Sequence, residues 1–272
     1  MAATTQKAGF DGLYVSTNIR PDAPKYSSDL VAKFKSRLLA LGPEWEDYSY
    51  AVLTSIFIGC HRPDYPPRLF EEALATLDLG SDEGVKRARE IFLRIREAIM
   101  VIWPFVGIPW CVPAGLGLVA VLQRHGIEVI GKECFRSSFN QDDHYRSGRE
   151  IHMRTYAKVN NPEVRELLSV GFPEFREATT AIVWGYNISG ATQSGLFQDY
   201  QTELIVAAAI HSEGASRQAR SHVKASLGMG NSLDAVKCMV EIGAEFATWA
   251  GVPLPHTIDV DALKAQVDAV SS

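Results

Sequence analysis

The sequence has few cysteines, and none of them stands close to another. Its 272 residues contain four cysteines, which lie far apart at Cys60, Cys111, Cys134 and Cys238. Disulfide-stapled domains and structural zinc sites need cysteines or histidines at short, repeated spacings. We therefore expect neither a disulfide framework nor a metal site. A reducing compartment is the simplest interpretation, with the cytoplasm as the expected location and an organelle such as the peroxisome left open.

An excess of positive charge is also missing. Lysine and arginine number 27 against 32 aspartates and glutamates, which gives a formal net charge of −5 at pH 7. Proteins that bind nucleic acid neutralise its phosphates with clustered basic side chains. We therefore expect no nucleic-acid partner.

The patterns of strands, signal peptides and membrane spans are absent or interrupted. No alternation of apolar and polar residues lasts long enough to predict a sheet, and residues 1–24 lack the apolar core of a signal peptide. Residues 98–122 are 25 uncharged residues, enough to span a bilayer. They contain Pro104, Pro109 and Pro113, which disfavour one continuous helix. We therefore expect no membrane partner.

What the sequence does contain is helical periodicity, which predicts an all-α fold. Between residues 82 and 103 apolar residues recur at three- and four-residue steps, typical of a helix with one buried stripe. Asn161-Pro162-Glu163 predicts a helix start, and so does Asn231 followed by Asp234. These two helices are predicted over 163–169 and 232–250. The others cover 28–40, 45–58, 66–78, 113–125, 146–158, 173–186, 199–212 and 215–228.

An internal repeat relates the two halves of the chain. One predicted helix ends in Phe105-Val-Gly-Ile-Pro109 and another in Trp249-Ala-Gly-Val-Pro253. Both have the pattern aromatic-x-Gly-x-Pro, in which glycine ends a helix and proline starts the next element. We therefore predict an N-terminal extension, two helical repeats and a C-terminal tail, at residues 1–26, 27–140, 141–258 and 259–272.

Residues 200–225 carry the candidate chemistry and are predicted to form a helical hairpin that turns near 212–214. Glu203 precedes the turn by about ten residues and His222 follows it by about nine, so at 1.5 Å per residue they face each other. A carboxylate that fixes the tautomer of an imidazole is suited to proton transfer near neutral pH. From spacing alone a buried structural ion pair is the simpler interpretation, because helical hairpins commonly contain such pairs.

The hairpin, the two aromatic-Gly-x-Pro helix ends, and the segments 145–148 and 184–186 resemble the carboxymuconolactone decarboxylase family of the AhpD-like superfamily. The resemblance covers residues 68–253. It implies an all-α, AhpD-like tandem of two repeats that assembles into a homo-oligomer. It also implies that Glu203 and His222, 19 residues apart, form the proton relay of the family. The decarboxylases use no cofactor and no metal, and His222 would protonate the substrate while Glu203 orients it.

Two departures from the family pattern bear on activity. Peroxide-reducing members carry two cysteines between the relay residues, where this chain has Ala215 and Gln218. Because thiols carry out that chemistry, residual peroxide reduction ranks last among the possible functions. The decarboxylase arginines near the glutamate are replaced by Thr202 and, upstream, by approximately Gln193 or Ser194, so the resemblance does not imply the family's clamp for a substrate carboxylate.

Six further side chains are expected to contact a small-molecule substrate. They are one amide, one histidine and four aromatic residues: Gln218, His211, Phe105, Trp184, Tyr186 and Trp249. Of the other histidines, His144 is expected in a solvated loop, and four are expected to stand alone: His61, His125, His152 and His256.

The expected function is a cofactor-independent decarboxylase or isomerase that acts on a small lactone or keto acid through Glu203 and His222. The alternative is a non-catalytic, oligomeric binding or scaffold protein with the same fold.

Overall fold

The computed structural model describes residues 9–127 and 134–271. Helices dominate these residues, and no strand occurs among them. The predicted all-α fold is therefore confirmed. A single π-helical turn, Asp11–Val15, precedes five helices of the first half: α1 (Ser28–Leu39), α2 (Trp45–Gly59), α3 (Tyr65–Leu74), α4 (Asp82–Val106) and α5 (Ile108–Arg124).

The second half contains eight α-helices and one long π-helical segment within the described residues. The first helices are α6 (Gln141–Tyr156), α7 (Pro162–Gly171) and α8 (Pro173–Ala178), followed by the π-helix Thr179–Ser189 and the short α9 (Gly190–Gln193). The last four are α10 (Asp199–Ser212), α11 (Ser216–Gly228), α12 (Leu233–Trp249) and α13 (Val260–Ser271).

The prolines of the uncharged stretch interrupt it less than expected. Pro104 and Pro113 lie inside α4 and α5, and Pro109 occupies the first turn of α5. A proline in a first turn loses no hydrogen bond, since the N–H groups there have no partner within the helix. The break falls at Gly107, so α5 begins at Ile108 rather than at 113. Among the described residues no helix is long and apolar enough to cross a membrane.

The two helix starts predicted from Asn161 and Asn231 are right to within one residue, although the capping side chains differ. Helix α6, in contrast, begins at Gln141 rather than at the predicted 146. The hydroxyl of Ser232, not the side chain of Asn231, accepts the capping hydrogen bond of α12. Asn231 instead donates to the carbonyl of Tyr200 at 2.7 Å. Asn161 precedes α7 as predicted, but its amide donates to Ser221 at 3.3 Å. Both asparagines therefore connect helices.

Helices α2 and α10 pack against each other at the centre of the molecule, and nearly all of their residues are buried. Helix α2 also packs on α4, and α10 packs on α12. Helix α3 packs on α5, and α11 packs on α13 in the same way. The order of contacts along α2–α5 thus recurs along α10–α13. The boundaries of the two repeats stay predictions.

The predicted tail contains a helix that the sequence analysis did not identify. In α13 the side chains of Val260, Leu263 and Val267 are buried. They recur at three- and four-residue steps and face the core, where α13 packs on α11 and α12. Helix α13 therefore supports the hairpin that carries Glu203 and His222.

Candidate functional site

The hairpin of α10 and α11 brings Glu203 and His222 together inside the protein. The Oε1 atom of Glu203 lies 2.8 Å from Nδ1 of His222. Their exposed fractions are only 2% and 4%. The prediction that the two side chains face each other across the hairpin is confirmed.

A third side chain extends this pair. The hydroxyl of Tyr156, the last residue of α6, lies 3.0 Å from Nε2 of His222. Because Nδ1 faces a carboxylate, the neutral imidazole carries its proton on Nδ1 and accepts at Nε2. Tyr156 then donates to His222, and His222 donates to Glu203. We call this hydrogen-bonded chain of Glu203, His222 and Tyr156 the relay.

Burial dominates the electrostatics of the relay. Burial raises the pKa of Glu203, and the neighbouring His222 opposes the shift. Burial also raises the pKa of the Tyr156 phenol above its usual range, with a further contribution from Glu203. Oε2 of Glu203 has no hydrogen-bond partner within the described residues. The phenol is therefore held protonated where it contacts His222.

Aromatic rings surround the relay histidine. The ring of Trp184, in the π-helix, stacks over that of His222 at 6.4 Å between centroids, and Phe105 meets it edge-on at 6.0 Å. Trp184 is buried, whereas Phe105 and Tyr156 are partly exposed. Within the relay, Tyr156 is consequently the residue nearest to solvent, and Phe105 lies beside it at the partly exposed side of His222.

Tyr156 and its neighbour His152 were not among the predicted site residues. The two rings lie 4.7 Å apart between centroids, and His152 also meets Trp184 edge-on. The prediction that His152 stands alone was therefore wrong. Burial, reinforced by nearby positive charges, lowers the pKa of His152 to about 4. The four-residue spacing of His152 and Tyr156 put them on one helix face, but it did not reveal what that face meets.

The ion pair of Arg136 and Glu97 fixes the segment that carries Trp184. Nη1 of Arg136 lies 3.0 Å from Oε2 of Glu97 in α4, and both side chains are almost fully buried. The same guanidinium donates to the π-helix carbonyls of Tyr186 and Asn187 at 3.0 and 2.9 Å. Because α4 also carries Phe105, this ion pair joins the two elements that enclose His222.

Four of the six predicted contact residues lie away from the relay, and His211 is one of them. Tyr186 packs against His144 at 5.3 Å between ring centroids, and Trp249 packs against Tyr65 at 5.8 Å. Gln218 is exposed on α11. The structure therefore brings only Phe105 and Trp184, of the four predicted aromatics, to the relay. His144 itself is buried within α6, so the expectation of a solvated loop was wrong.

His211 lies in the last turn of α10, and its contacts are with residues outside the relay. Its Nε2 atom lies 3.0 Å from the carbonyl oxygen of Val240, and its Nδ1 atom lies 3.0 Å from Nε2 of His256. His256 was expected to stand alone, and this was wrong. His61 was expected to stand alone too, but it pairs with Glu213 at 3.1 Å.

Lowering the pH from 7 to 5 is expected to reduce the free energy of unfolding by about 2 kcal/mol through His211 alone. Burial lowers the pKa of His211 to about 4 in the folded protein, from 6.5 when unfolded. The unfolded state therefore binds the proton first. This stability is present above pH 6.5 and is lost as the pH falls towards 4. Urea titrations at pH 7 and 5 measure the difference.

The control for this measurement is an exposed histidine. His211→Gln is expected to lose that part of the pH dependence, whereas His125→Gln, altered at an exposed position after α5, is expected to keep it. An unchanged pH dependence in His211→Gln would contradict the assignment.

Two cavities, of about 380 and 350 Å³, lie away from the relay. The larger is lined by residues of α1, α2 and α4 that include Lys35, Tyr50 and Arg87, and the smaller includes Arg154, Asp199 and Tyr200. Neither is lined by Glu203 or His222. No cluster of three or more potential metal-ligating His, Cys, Asp or Glu side chains occurs in the described parts of the chain.

Comparisons of the chain with protein-family models, with curated proteins and with solved structures found no match. The resemblance to the carboxymuconolactone decarboxylase family stays a prediction. The fold and the site define an all-α protein with a buried Glu–His–Tyr hydrogen-bonded chain.

Proposed function

We propose that this chain is a cofactor-independent acid/base enzyme that acts on a small lactone or keto acid, by decarboxylation or by isomerisation. The observation that supports the proposal is the unbroken relay from Glu203 through His222 to Tyr156, with joining distances of 2.8 and 3.0 Å. A buried carboxylate that orients an imidazole, which in turn contacts a protonated phenol, is suited to moving a proton in either direction. The resemblance to the decarboxylases supplies the substrate class.

In decarboxylation the bond to the carboxyl carbon breaks and its electrons move into the adjacent carbonyl, which releases carbon dioxide and leaves an enolate. When His222 is protonated, its Nε2 proton passes to Tyr156 while the phenol proton passes to the carbanion carbon. Glu203 offsets the charge of the imidazolium. The apolar rings of Phe105 and Trp184 favour loss of a charged carboxylate as neutral carbon dioxide.

In isomerisation the relay begins neutral. Tyr156 takes a proton from the carbon next to the carbonyl as its own proton passes to Nε2 of His222, and the reverse movement protonates a second carbon. Tyr156 is the relay residue with partial exposure, so it is the group that would meet the substrate.

The experiment is a screen of small lactone acids and keto acids for carbon dioxide release or isomerisation, followed by variants on the best substrate. His222→Gln and Tyr156→Phe are each expected to lower kcat by about 100-fold or more. Tyr50→Phe removes a part-buried hydroxyl that accepts from Lys35 at 2.6 Å and takes no part in the relay, and it is expected to leave kcat unchanged. Full activity in a folded His222→Gln protein would refute the proposal.

The second candidate is a non-catalytic, oligomeric binding or scaffold protein. The observation that favours it is the burial of His222, which is only 4% exposed, because a catalytic imidazole needs access to a substrate. In that case His222→Gln lowers stability, and no compound in the screen is turned over. Residual peroxide reduction ranks below both candidates, because burial raises the pKa of the Cys60, Cys111 and Cys238 thiols.

We also propose that the protein forms a homo-oligomer through the outer face of α5. This face exposes four apolar side chains at steps of four, four and three residues: Ile108, Val112, Leu116 and Val119. Such a contiguous apolar stripe is typical of an interaction surface. Sedimentation velocity is expected to show a species heavier than one 29.9 kDa chain, and Val112→Glu is expected to shift it towards the monomer. A monomeric wild-type protein would contradict this.

The proposed location is the cytoplasm. All four cysteines are free thiols, which supports a reducing compartment. Labelling free thiols in intact cells and counting the labelled cysteines in the extracted protein tests this location. A disulfide in that protein would contradict the proposal.

A further inference from the structure

A second chain of hydrogen bonds lies outside the relay, where α11 begins. Oγ of Ser216 lies 3.1 Å from Nδ1 of His256, and Nε2 of His256 lies 3.0 Å from Nδ1 of His211. Nε2 of His211 lies 3.0 Å from the carbonyl oxygen of Val240. Three side chains from α10, α11 and the loop before α13 are thus joined in a line.

The backbone carbonyl at one end fixes the direction of every proton in this line. A carbonyl oxygen can only accept, so Nε2 of His211 carries a proton and donates to Val240. Burial lowers the pKa of His211, so this ring is neutral near pH 7 and its Nδ1 is an acceptor. His256 therefore donates from Nε2, which leaves its Nδ1 as the acceptor for the hydroxyl of Ser216.

Exposure falls along the same line. Ser216 is exposed, His256 is partly buried and His211 is 1% exposed. The turn before α11 lies close to this loop, since a methyl group added at Gly214 would come within 3.2 Å of the ring of Pro255. An accessible hydroxyl, a histidine that accepts its proton and a buried group that orients the histidine form the arrangement that activates a serine nucleophile.

The start of α11 adds a place for developing negative charge. Ser216 is the first residue of this helix, and the preceding Ala215 offers no side-chain cap. The N–H groups of a helical first turn have no partner within the helix and point outwards. Ser216 is thus adjacent in sequence to unpaired N–H donors of the kind that stabilise negative charge at a helix start.

We infer that Ser216, His256 and His211 form a second site that cleaves accessible acyl esters, with Ser216 as nucleophile, His256 as general base and His211 as a positioning residue. The site is independent of the proposed relay, which uses neither Ser216 nor His256. Because Ser216 is exposed on the surface, the site suits small or flexible esters.

Each step transfers one proton and one acyl group. Oγ of Ser216 bonds to the ester carbonyl carbon as its proton moves to Nδ1 of His256 and the carbonyl oxygen becomes an oxyanion. The intermediate collapses, the carbon–alkoxy bond breaks, and the alcohol leaves with the proton from His256. Water then attacks the acyl-serine by the same route, which releases the acid and restores Ser216. The net reaction consumes one ester and one water and yields one acid and one alcohol.

The test is covalent labelling of the full chain with diisopropyl fluorophosphate, which traps an activated serine as fluoride leaves. Peptide mass spectrometry is expected to place one adduct on Ser216. Ser216→Ala is expected to abolish this adduct, and His256→Gln is expected to slow its formation at least tenfold. Both positions lie near the surface, so circular dichroism of these variants is expected to match the wild type.

Matched controls separate activation from simple exposure. Ser221→Ala, on the same helix, and His125→Gln, at an exposed histidine, are expected to label at the wild-type rate. His211→Leu removes the acceptor for His256 and is expected to slow labelling, whereas the amide oxygen of His211→Gln can accept and is expected to restore part of the rate. Absence of the Ser216 adduct, or an unchanged rate in His256→Gln, would overturn the inference.

Discussion

Replacing Glu97 with alanine is expected to reduce the free energy of unfolding by about 3 to 5 kcal/mol. The carboxylate is the charged partner of Arg136, and the side chains of the two residues are 2% and 7% exposed. Removing the carboxylate leaves a buried guanidinium without a counter-charge, and the protein cannot recover its lost hydration. Urea unfolding at pH 7, followed by circular dichroism, measures the change.

Two comparisons make this measurement specific. Glu71 pairs with Arg124 at 3.0 Å, but both side chains are more than a third exposed, so Glu71→Ala is expected to cost less than about 1 kcal/mol. The double variant Glu97→Leu with Arg136→Met is expected to recover stability relative to Glu97→Ala, because it removes both buried charges. If Glu97→Ala and Glu71→Ala cost the same, the buried ion pair does not stabilise the fold.

Glu97→Ala is also expected to disturb the packing around His222 at the candidate site. Arg136 holds the carbonyls of Tyr186 and Asn187, and the same π-helix carries Trp184 over His222. Weakening the hydrogen bonds from Arg136 is expected to let the ring of Trp184 move away from His222. The ion pair of Glu97 and Arg136 therefore stabilises the fold and also keeps Trp184 packed on His222.

The sequence predicts the Glu203–His222 contact because only local geometry is needed. A helix advances by a fixed rise per residue, so equal distances from a tight turn place two side chains level with each other. The boundaries of α10 and α11 follow from the same local signals and agree with the prediction to within one residue.

Tyr156 and His256 could not be predicted in this way. Tyr156 reaches His222 from α6, 66 residues away along the chain, and His256 reaches His211 from a loop 45 residues away. Such contacts depend on how helices and loops pack, which neither periodicity nor capping specifies. His152 and His256, which stand alone in the sequence, therefore acquire partners only through packing.

The π-helix was predicted as part of one α-helix over 173–186. The structure instead ends α8 at Ala178 and continues as a π-helix from Thr179 to Ser189. The apolar pattern is compatible with both, because it specifies which residues are buried and not the number of residues in each turn. The apolar pattern also does not show that this segment approaches α6 closely, at Gly148 and Gly185.

Replacing Gly185 with alanine is expected to reduce the free energy of unfolding by about 3 kcal/mol, at the upper end of the usual cost of overpacking. A methyl group at this position would overlap the backbone carbonyl of His144 in α6. Gly148 faces the backbone of Thr180 equally closely, so the two helices touch through both glycines. Because a backbone cannot move aside as a side chain can, α6 must separate from the π-helix.

Gly115→Ala is the control for this prediction, because a methyl group there meets no atom within 4 Å. Inside α5 it is expected to raise stability by about 0.5 to 1 kcal/mol, since alanine favours a helix over glycine. Opposite signs of the change in unfolding free energy are the expected result when the two variants are titrated with urea.

The separation forced by Gly185→Ala moves Tyr156 and Trp184 apart, because Tyr156 lies on α6 and Trp184 lies on the π-helix. Catalysis through the relay is therefore expected to fall as well. Equal stabilities of the two variants would mean that α6 and the π-helix do not meet at Gly185, and that Tyr156 is not held against His222 in this way.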